Sequence, residues 1–266
     1  MGSYCELHCH SNYSFYEGAS YIEELLLRAK DLSYPALALT DHDNLCGALE
    51  FAQIATSLNI KPITGAEMTL EDGSHLTLIV RTGKGYSNLC RLITHACSKD
   101  SRNPFLELSH LSRYSEGIVL LTGCKRGKVP SLVSGFRMEE ASECLSQYMD
   151  WFGSDNVFIE LQQNLVYGDS TRNKGLVELA TQLGVGVVAT NNVHYHIPQR
   201  YRLQDTLVAI RHGKSLENTH LERRPNFQFY MKSGQEMASI FNDIPEAIQN
   251  SLRISEMCSF DLTKNL

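Results

Sequence analysis

Pro35-Ala36-Leu37-Ala38-Leu39-Thr40-Asp41-His42-Asp43 carries the pattern that decides the fold. Pro35 stops the helical spacing before it, because the residue preceding a proline is pushed out of the α region. A short apolar run, 36–40, follows and ends on an imidazole flanked by two carboxylates. Apolar run, polar cluster, then helical spacing is an order that recurs along the chain. Upstream, a strand over 4–8 leads to a helix that opens at Ser20-Tyr21-Ile22-Glu23, a capping-box spacing, and runs to Leu32. Downstream come a helix over 45–58 and a strand over 61–67, which Asp72-Gly73 turns into a hairpin with 75–81. Helices over 86–98, 139–152, 171–183 and 202–212 then alternate with strands over 117–122, 156–162 and 185–190, and helices near 234–241 and 245–258 finish the chain. Such alternation is the signature of βα units around a parallel sheet. Residues 213–228 are the loosest stretch and the best place for a boundary.

At 266 residues, 42% hydrophobic and 20% charged, the chain can bury a full core as one large α/β barrel, and disorder is excluded. Thirty acidic against 24 basic residues give a net charge of -6, without the basic surplus of a duplex-DNA binder. A nucleic acid substrate would have to be held locally, by metal. The eight cysteines (Cys5, Cys9, Cys46, Cys90, Cys97, Cys124, Cys144, Cys258) form no CxxC pair and no dense framework, and read as reduced thiols of a cytoplasmic protein. Met1-Gly2-Ser3-Tyr4-Cys5-Glu6 lacks a basic region followed by an apolar run, and no apolar stretch approaches the roughly 18 residues of a membrane span. Neither secretion nor membrane insertion is expected.

The polar clusters fall at strand ends, where the loops of a closed α/β barrel meet over one cavity and catalytic residues collect. Leu7-His8-Cys9-His10 ends the first run, and a strand's period of two points both imidazoles to one side. Alone, His-x-His fits a surface or satisfied core pair as well as two ligands. Glu6 shares that face and could accept the other N–H of an imidazole. From Thr40-Asp41-His42-Asp43 only His42 is taken as a ligand, because Asp41 also reads as an exposed turn residue and Asp43 as the cap of the next helix. Thr64-Gly65-Ala66-Glu67 brings a carboxylate able to bridge two cations, with Gly65 permitting close backbone approach. Cys124 and Thr190-Asn191-Asn192-Val193-His194 end two further runs.

In isolation Glu17 reads as an exposed loop residue, His95 as a satisfied buried histidine among Leu92, Ile93 and Ala96, and Cys124 as inert packing. His75, His110, His196, His212 and His220 read as surface or locally hydrogen-bonded, and Leu145, Tyr148, Trp151 and Phe152 as core at helical spacing. Burying several imidazoles, carboxylates and a thiol together without a cation leaves costly unpaired polarity, so the combination points to metal. Mixed nitrogen, oxygen and sulfur donors suit zinc, manganese or iron, and a donor set this large implies more than one ion.

The segments His8-Cys9-His10-Ser11, Ala38-Leu39-Thr40-Asp41-His42, Gly65-Ala66-Glu67, Thr122-Gly123-Cys124 and Thr190-Asn191-Asn192-Val193-His194-Tyr195 resemble, in order and spacing, the successive motifs of the PHP (polymerase and histidinol phosphatase) family. Within it, the stretch from Tyr4 to Phe15 and Gly18-Ala19-Ser20 is most similar to the N-terminal domain of bacterial error-prone, alpha-type DNA polymerase III subunits. Phe229-Tyr230-Met231-Lys232-Ser233 and Pro245-Glu246-Ala247 are similar to the segment leading toward the catalytic region of those polymerases. The resemblance implies a distorted seven-stranded, TIM-like (β/α)7 barrel over residues 1–220. Residues 221–266 would then be a C-terminal helical extension, packing on the barrel or leading toward a polymerase region. It also implies up to three divalent ions in the barrel's mouth. Carried over motif by motif, one ion takes His8, His10, Glu67 and Asn192; a second shares Glu67 with His95 and Cys124; a third takes Glu17, His42 and His194. The family's usual residue at position 17 is Asp or His, and at position 192 it is Asp. A neutral amide at 192 ligates weakly and removes a negative charge, so Asn192→Asp is expected to raise metal content or hydrolysis.

The expected function is metal-dependent hydrolysis of phosphate esters, extending to 3′-5′ exonuclease action on single-stranded DNA, with the ions neutralising charge that develops on the phosphoryl oxygens. His42 and His194 are the candidates to relay protons near neutral pH, and Lys125-Arg126-Gly127-Lys128 either aids the substrate or is a solvated basic turn. Two alternatives stand beside this. One is a structural module that binds other polymerase regions or subunits, which Asn192 favours. The other is a small-molecule phosphatase resembling histidinol phosphatase. A chain ending at Leu266 is expected to lack the carboxylates with which such polymerases extend DNA.

Overall fold

The apolar run after Pro35 folds as a strand with every residue buried, Ala36–Leu39. In chain order the elements of this computed structural model are α1 (Ile22–Asp31), β1 (Ala36–Leu39), α2 (Ala48–Ser57), β2 (Lys61–Thr69), β3 (His75–Val80), α3 (Gly83–Cys97), α4 (Leu108–Arg113), β4 (Ile118–Leu121), α5 (Lys128–Ser134), α6 (Met138–Phe152), β5 (Val157–Leu161), α7 (Asp169–Leu183), β6 (Gly186–Ala189), α8 (Tyr201–His212), α9 (Gly234–Ile240) and α10 (Pro245–Met257). The structure describes residues 3–264; Met1, Gly2, Asn265 and Leu266, the outermost positions of the expected segments 1–220 and 221–266, lie outside the described residues.

The strands form one curled α/β sheet in the order β1-β2-β3-β4-β5-β6. Parallel pairing joins β1 to β2, β4 to β5 and β5 to β6, whereas β3 is antiparallel to both of its neighbours. The expected hairpin causes that reversal. Gly73 takes φ 77 in the turn, a conformation glycine adopts without penalty, and its N–H reaches the carbonyl of Leu70 at 2.8 Å. One consequence governs the site: β3 presents its first residue, not its last, at the rim where β1 and β2 end.

Six strands are observed where seven were expected. The segment around His8 lies between β1 and the chain after β6, but it is joined to them only by isolated bridges, Glu6 with Leu37 and Cys9 with Val193. Its backbone donors are diverted to side chains. The N–H groups of Cys5, His8 and Cys9 donate to Ser251 Oγ at 3.2 Å, Glu6 Oε1 at 2.9 Å and Thr40 Oγ1 at 2.9 Å. Each backbone donor satisfied that way is lost to a continuous ladder.

Alternate residues of the strands give the sheet two apolar faces. One gathers Leu7, Ala38, Ile63, Ile79, Val119 and Val188 with Ile254 and Cys258 from the end of the chain, while the other packs against the helices. Beyond residue 221 the chain is tied to the sheet by polar contacts as well. Asn250 Nδ2 donates to the carbonyl of Val187 at 2.8 Å, and Tyr34 Oη donates to the carbonyl of Lys232 at 2.5 Å. Among the described residues all eight cysteines are unpaired, and no helix is long and apolar enough to cross a membrane.

Candidate metal centre

Glu67, near the end of β2, is buried beneath four imidazoles. Its Oε1 lies 3.5 Å from His8 Nε2 and 3.2 Å from His75 Nδ1. Its Oε2 lies 3.5 Å from His10 Nε2 and 2.9 Å from His42 Nε2. His8 and His10 arrive from the bridging segment with period-two spacing. His42 follows β1 and bridges Glu67 through the backbone. His75 opens β3, diagonal to Glu67 across the hairpin, where Glu67 pairs with Thr77 and Thr69 with His75. Among the described residues two groups of donor atoms are close enough to hold an ion, His8–His10–Glu67 and His42–Glu67–His75, and both contain Glu67.

The groups behind these rings set which nitrogen faces the carboxylate. His8 Nδ1 lies 2.6 Å from Glu160 Oε1 on β5, which can only accept, so Nδ1 carries the hydrogen. Ser14 Oγ donates its one hydrogen to Asp41 Oδ1 at 2.6 Å and therefore accepts from His10 Nδ1 at 3.0 Å. Asp41 also accepts the N–H and the hydroxyl of Ser11, both at 2.7 Å. In both histidines Nε2 is left as the lone-pair nitrogen on the Glu67 side. His8 Nε2, His10 Nε2, Glu67 Oε1 and His75 Nδ1 are all buried with no hydrogen-bond partner. Acceptors facing acceptors in a buried site call for a cation between them, so these residues fit divalent metal.

Without an ion the same demand for positive charge falls on protons, and a proton on His8 Nε2 takes the place that an ion would occupy. Burial opposes a charge on His8, yet the Glu160 and Glu67 carboxylates push its pKa up to about 10. Burial likewise opposes charge on Glu67, but His42, His8 and His75 hold its carboxyl well below the usual range. His10 is driven the other way, by burial and by His194 and His42, which lie on either side of its ring with centroids 4.5 and 4.7 Å away. The pocket thus demands positive charge at Glu67 without supplying it from every ring.

Beside this lies a second cluster, in which the donors are already engaged. His194 Nδ1 reaches the carbonyl of Glu17 at 2.9 Å, which accepts, so Nε2 carries the lone pair. That nitrogen is 2.8 Å from Asn192 Oδ1 and in contact with the guanidinium of Arg224. Arg224 packs over the Phe229 ring, 4.5 Å from its centre, and lies 4.0 Å from Glu17 Oε2. Glu17 is held further by Arg211 Nη1 at 2.5 Å and His42 Nε2 at 3.0 Å. A cavity of about 40 Å³ joins the two clusters and is lined by Cys124, Lys125, Arg126 and Arg224. It opens beside a groove of about 410 Å³, which Arg102, Arg126, Arg211 and Phe15 line in part.

The PHP domain family matches residues 6–164. This chain belongs to it. Among curated PHP relatives, the error-prone DNA polymerase of Symbiobacterium thermophilum is 38% identical over 273 residues, covering 96% of this chain and 25% of that protein. DNA polymerase III subunit alpha of Treponema pallidum is 34% identical over 272 residues, covering 97% and 23%. The chain spans about a quarter of the length of these relatives. Of solved structures, a two-domain protein from Bacteroides vulgatus with a PHP-like metal-dependent phosphoesterase aligns with TM-score 0.48 and 12% identity, over 97% of this chain and 70% of that one. A lesion-specific endonuclease from Pyrococcus furiosus aligns with TM-score 0.43 and 14% identity, over 73% and 49%.

Measured against the PHP motif pattern, the fold brings His8, His10, His42 and Glu67 together, with Cys124, Asn192 and Glu17 on the same cavity. His95 is not brought there. It sits off the buried stripe of α3 (Gly85, Asn88, Leu89, Leu92, Ala96) and stacks on His110 of α4, with ring centroids 3.9 Å apart. His75 stands at Glu67 instead: it is buried and its Nδ1 has no hydrogen-bond partner, which corrects its reading as a surface or locally hydrogen-bonded residue. Cys124 belongs to neither donor group; burial and Glu67 raise its thiol pKa, and its sulfur accepts the N–H of Arg126 at 3.4 Å. Glu17, His42 and His194 do not form a group.

Several supporting residues also stand elsewhere than expected. Among the described residues no hydrogen bond joins Glu6 to an imidazole ring. Glu6 accepts the N–H of His8 at 2.9 Å, the N–H of Asn191 at 3.0 Å and the hydroxyl of Tyr4 at 2.8 Å, and Glu160 orients His8 instead. Asp41 is buried rather than an exposed turn residue. Asp43 caps no helix but clamps β2, accepting the N–H and hydroxyl of Thr69, both at 2.8 Å. Of the basic turn, Lys125 and Arg126 line the cavity while Lys128 pairs with Asp72 at 2.6 Å. Arg224 had no signal beyond a basic pair, Arg223-Arg224, in a stretch with no periodicity.

Proposed function

We propose that this PHP domain hydrolyses phosphate esters with divalent ions held on the two sides of Glu67. The observation that carries the reading is the set of buried, unpartnered acceptors around that carboxylate. A shell of imidazole and carboxylate suits zinc, manganese or iron. When bound, such ions supply a water-derived nucleophile at neutral pH and neutralise charge on the phosphoryl oxygens. The chain's own part is to hold and orient. Glu160 and Ser14 fix the His8 and His10 rings with Nε2 toward Glu67, while Asp41 fixes Ser14. Lys125 and Arg126 face the same cavity and would bind phosphoryl oxygens. His42, whose Nε2 lies between Glu67 and Glu17, would hold the ion on the His75 side of Glu67, which commits that nitrogen as a ligand. We read the six strands together with the bridging residues 6–9 as the PHP barrel, and residues 221–264 as an extension that finishes one rim of it.

A cavity of about 40 Å³ takes ions and water but no nucleoside, so the rest of a substrate must lie in the adjoining groove. Arg102, Arg126 and the exposed ring of Phe15 suit phosphates and a stacked base. That favours the 3′ end of single-stranded DNA over a small monoester. The second reading is a polymerase-associated module that binds partners without turnover, and it draws on Asn192 and on the arginines already seated at Glu17. The test sets single-stranded oligonucleotides beside a panel of phosphomonoesters, with Mn²⁺ or Zn²⁺ and then with chelator. Metal-dependent release of 3′ nucleotides is expected. Activity confined to monoesters removes the nuclease reading, and silence on every substrate by metal-loaded protein selects the partner-binding one.

A further inference from the structure

We propose that Arg224 stands in for a third ion: its guanidinium, seated on His194 beside Glu17, makes this a two-ion centre completed by a tethered cation. The inference rests on the metal-centre reading above and adds the count of ions to it. His194 Nδ1 serves the carbonyl of Glu17, so the ring has one lone pair left, on Nε2, and an Arg224 N–H lies against it. A metal ion would need that same lone pair, so guanidinium and ion exclude each other there. Glu17 is faced by two of the chain's own cations, with Oε1 to Arg211 at 2.5 Å and Oε2 4.0 Å from Arg224.

Arg224 is positioned for this role by the fold. Its guanidinium stacks over Phe229 at 4.5 Å, and the backbone N–H of His194 donates to the carbonyl of Phe229 at 2.9 Å, which ties the arginine's platform to the histidine it covers. Asn192 fits the same account. Motif order gives position 192 to the ion of His8, His10 and Glu67, yet Asn192 Oδ1 also lies 2.8 Å from the lone pair on His194 Nε2; two acceptors that close need a cation, and Arg224 supplies it without a carboxylate at 192. Among the described residues the donor groups number two, and neither includes Glu17 or His194.

The test counts Zn²⁺ per chain by elemental analysis after equilibrium dialysis at fixed free Zn²⁺, for the full chain, Asn192→Asp, and Arg224→Met combined with Asn192→Asp. Two ions are expected in the unaltered chain, two in the single variant because Arg224 keeps the lone pair, against the gain in metal that motif order alone predicts for Asn192→Asp, and three in the double variant. Long-range ¹⁵N spectra of the unaltered chain give a reading that does not depend on any variant folding. On zinc loading, Nε2 of His8 and His10 should shift while Nε2 of His194 stays put. Three ions in the unaltered chain, a zinc-induced shift at His194, or a double variant that folds and stays at two would each overturn the proposal and leave the metal-centre reading standing. No zinc in any form would remove that reading, and this inference with it.

Discussion

Around Glu67, buried nitrogen and oxygen atoms of His8, His10, His75 and Glu67 itself have no hydrogen-bond partner, whereas Glu17 faces Arg211 and Arg224 and both nitrogens of His194 are taken. The two clusters share a cavity and draw on the same residue types. The difference lies in the cations the chain brings along. Arg211 and Arg224 reach one side of the rim, and among the described residues no arginine or lysine pairs with Glu67. Ligand identity alone therefore does not say where metal goes; what decides it is which buried acceptors the protein leaves unpaired, because each is costly until a cation arrives.

The largest expected effect comes from removing the centre of the unpaired side. Glu67→Gln takes away the carboxylate common to both donor groups, and both ions should be lost. Partners that merely orient a ligand cost about 10–100-fold in metal affinity or activity, so a shared ligand should cost more than about 100-fold. Two ions retained in Glu67→Gln would break the contrast between the clusters. Next in size, His75→Ala should lose one ion and about 100-fold in hydrolysis, set against no change in His95→Ala. The pair separates what the fold places at Glu67 from what motif order would place there. Equal losses in both variants would restore His95 and dismiss His75.

That pair also marks how far the sequence was legible. His8, His10, His42 and Glu67 were readable because strand periodicity and strand-end position both point at one rim. The hairpin at Asp72-Gly73 was readable from its turn residues. The turn residues do not carry its consequence for the rim: an antiparallel strand brings its first residue there, so His75 is hidden by a rule that holds for parallel strands. The seventh strand failed because Ser251, Glu6 and Thr40 compete for backbone donors, a contest that spans up to 246 positions and leaves no local trace. Arg224 was illegible for a related reason. It comes from a stretch without periodicity and meets His194 from 30 positions away.

A smaller effect is expected one layer back from the unpaired side. In Glu160→Gln the amide oxygen can still accept the Nδ1 hydrogen of His8, so the lone pair on Nε2 stays aimed at Glu67. The lost charge weakens the ligand without misdirecting it, which puts the loss of metal affinity near the low end, about 10-fold. Thr190 Oγ1 and Gln162 Nε2, which also donate to Glu160, help hold the replacement in place. Isothermal titration with Mn²⁺ measures it. A loss as large as that of Glu67→Gln would mean that Glu160 is itself a ligand, and would redraw the boundary of the unpaired cluster.

The smallest effect on the centre belongs to Lys232, which supports the paired side from behind. Its ammonium is buried and donates to Asn191 Oδ1 at 3.0 Å, next to Asn192, and burial pulls its pKa down to about 8 despite Glu6 and Glu236. In the unfolded chain the group titrates near its ordinary value of about 10.5. A depressed folded value means that folding favours the neutral amine: the contribution to stability is present in full above about 10.5 and is lost as pH falls through about 8. Buried Tyr4, Tyr34 and Cys5 pull the opposite way in alkali, since burial raises each of them. The informative quantity is thus the difference between the unaltered chain and Lys232→Met. As pH rises from 8 to 10 the unaltered chain should gain in melting temperature relative to the variant, with metal count and hydrolysis the same in both. A difference that is flat with pH would show the amine to be solvated, and a change in metal count would show that the paired side depends on its outer support.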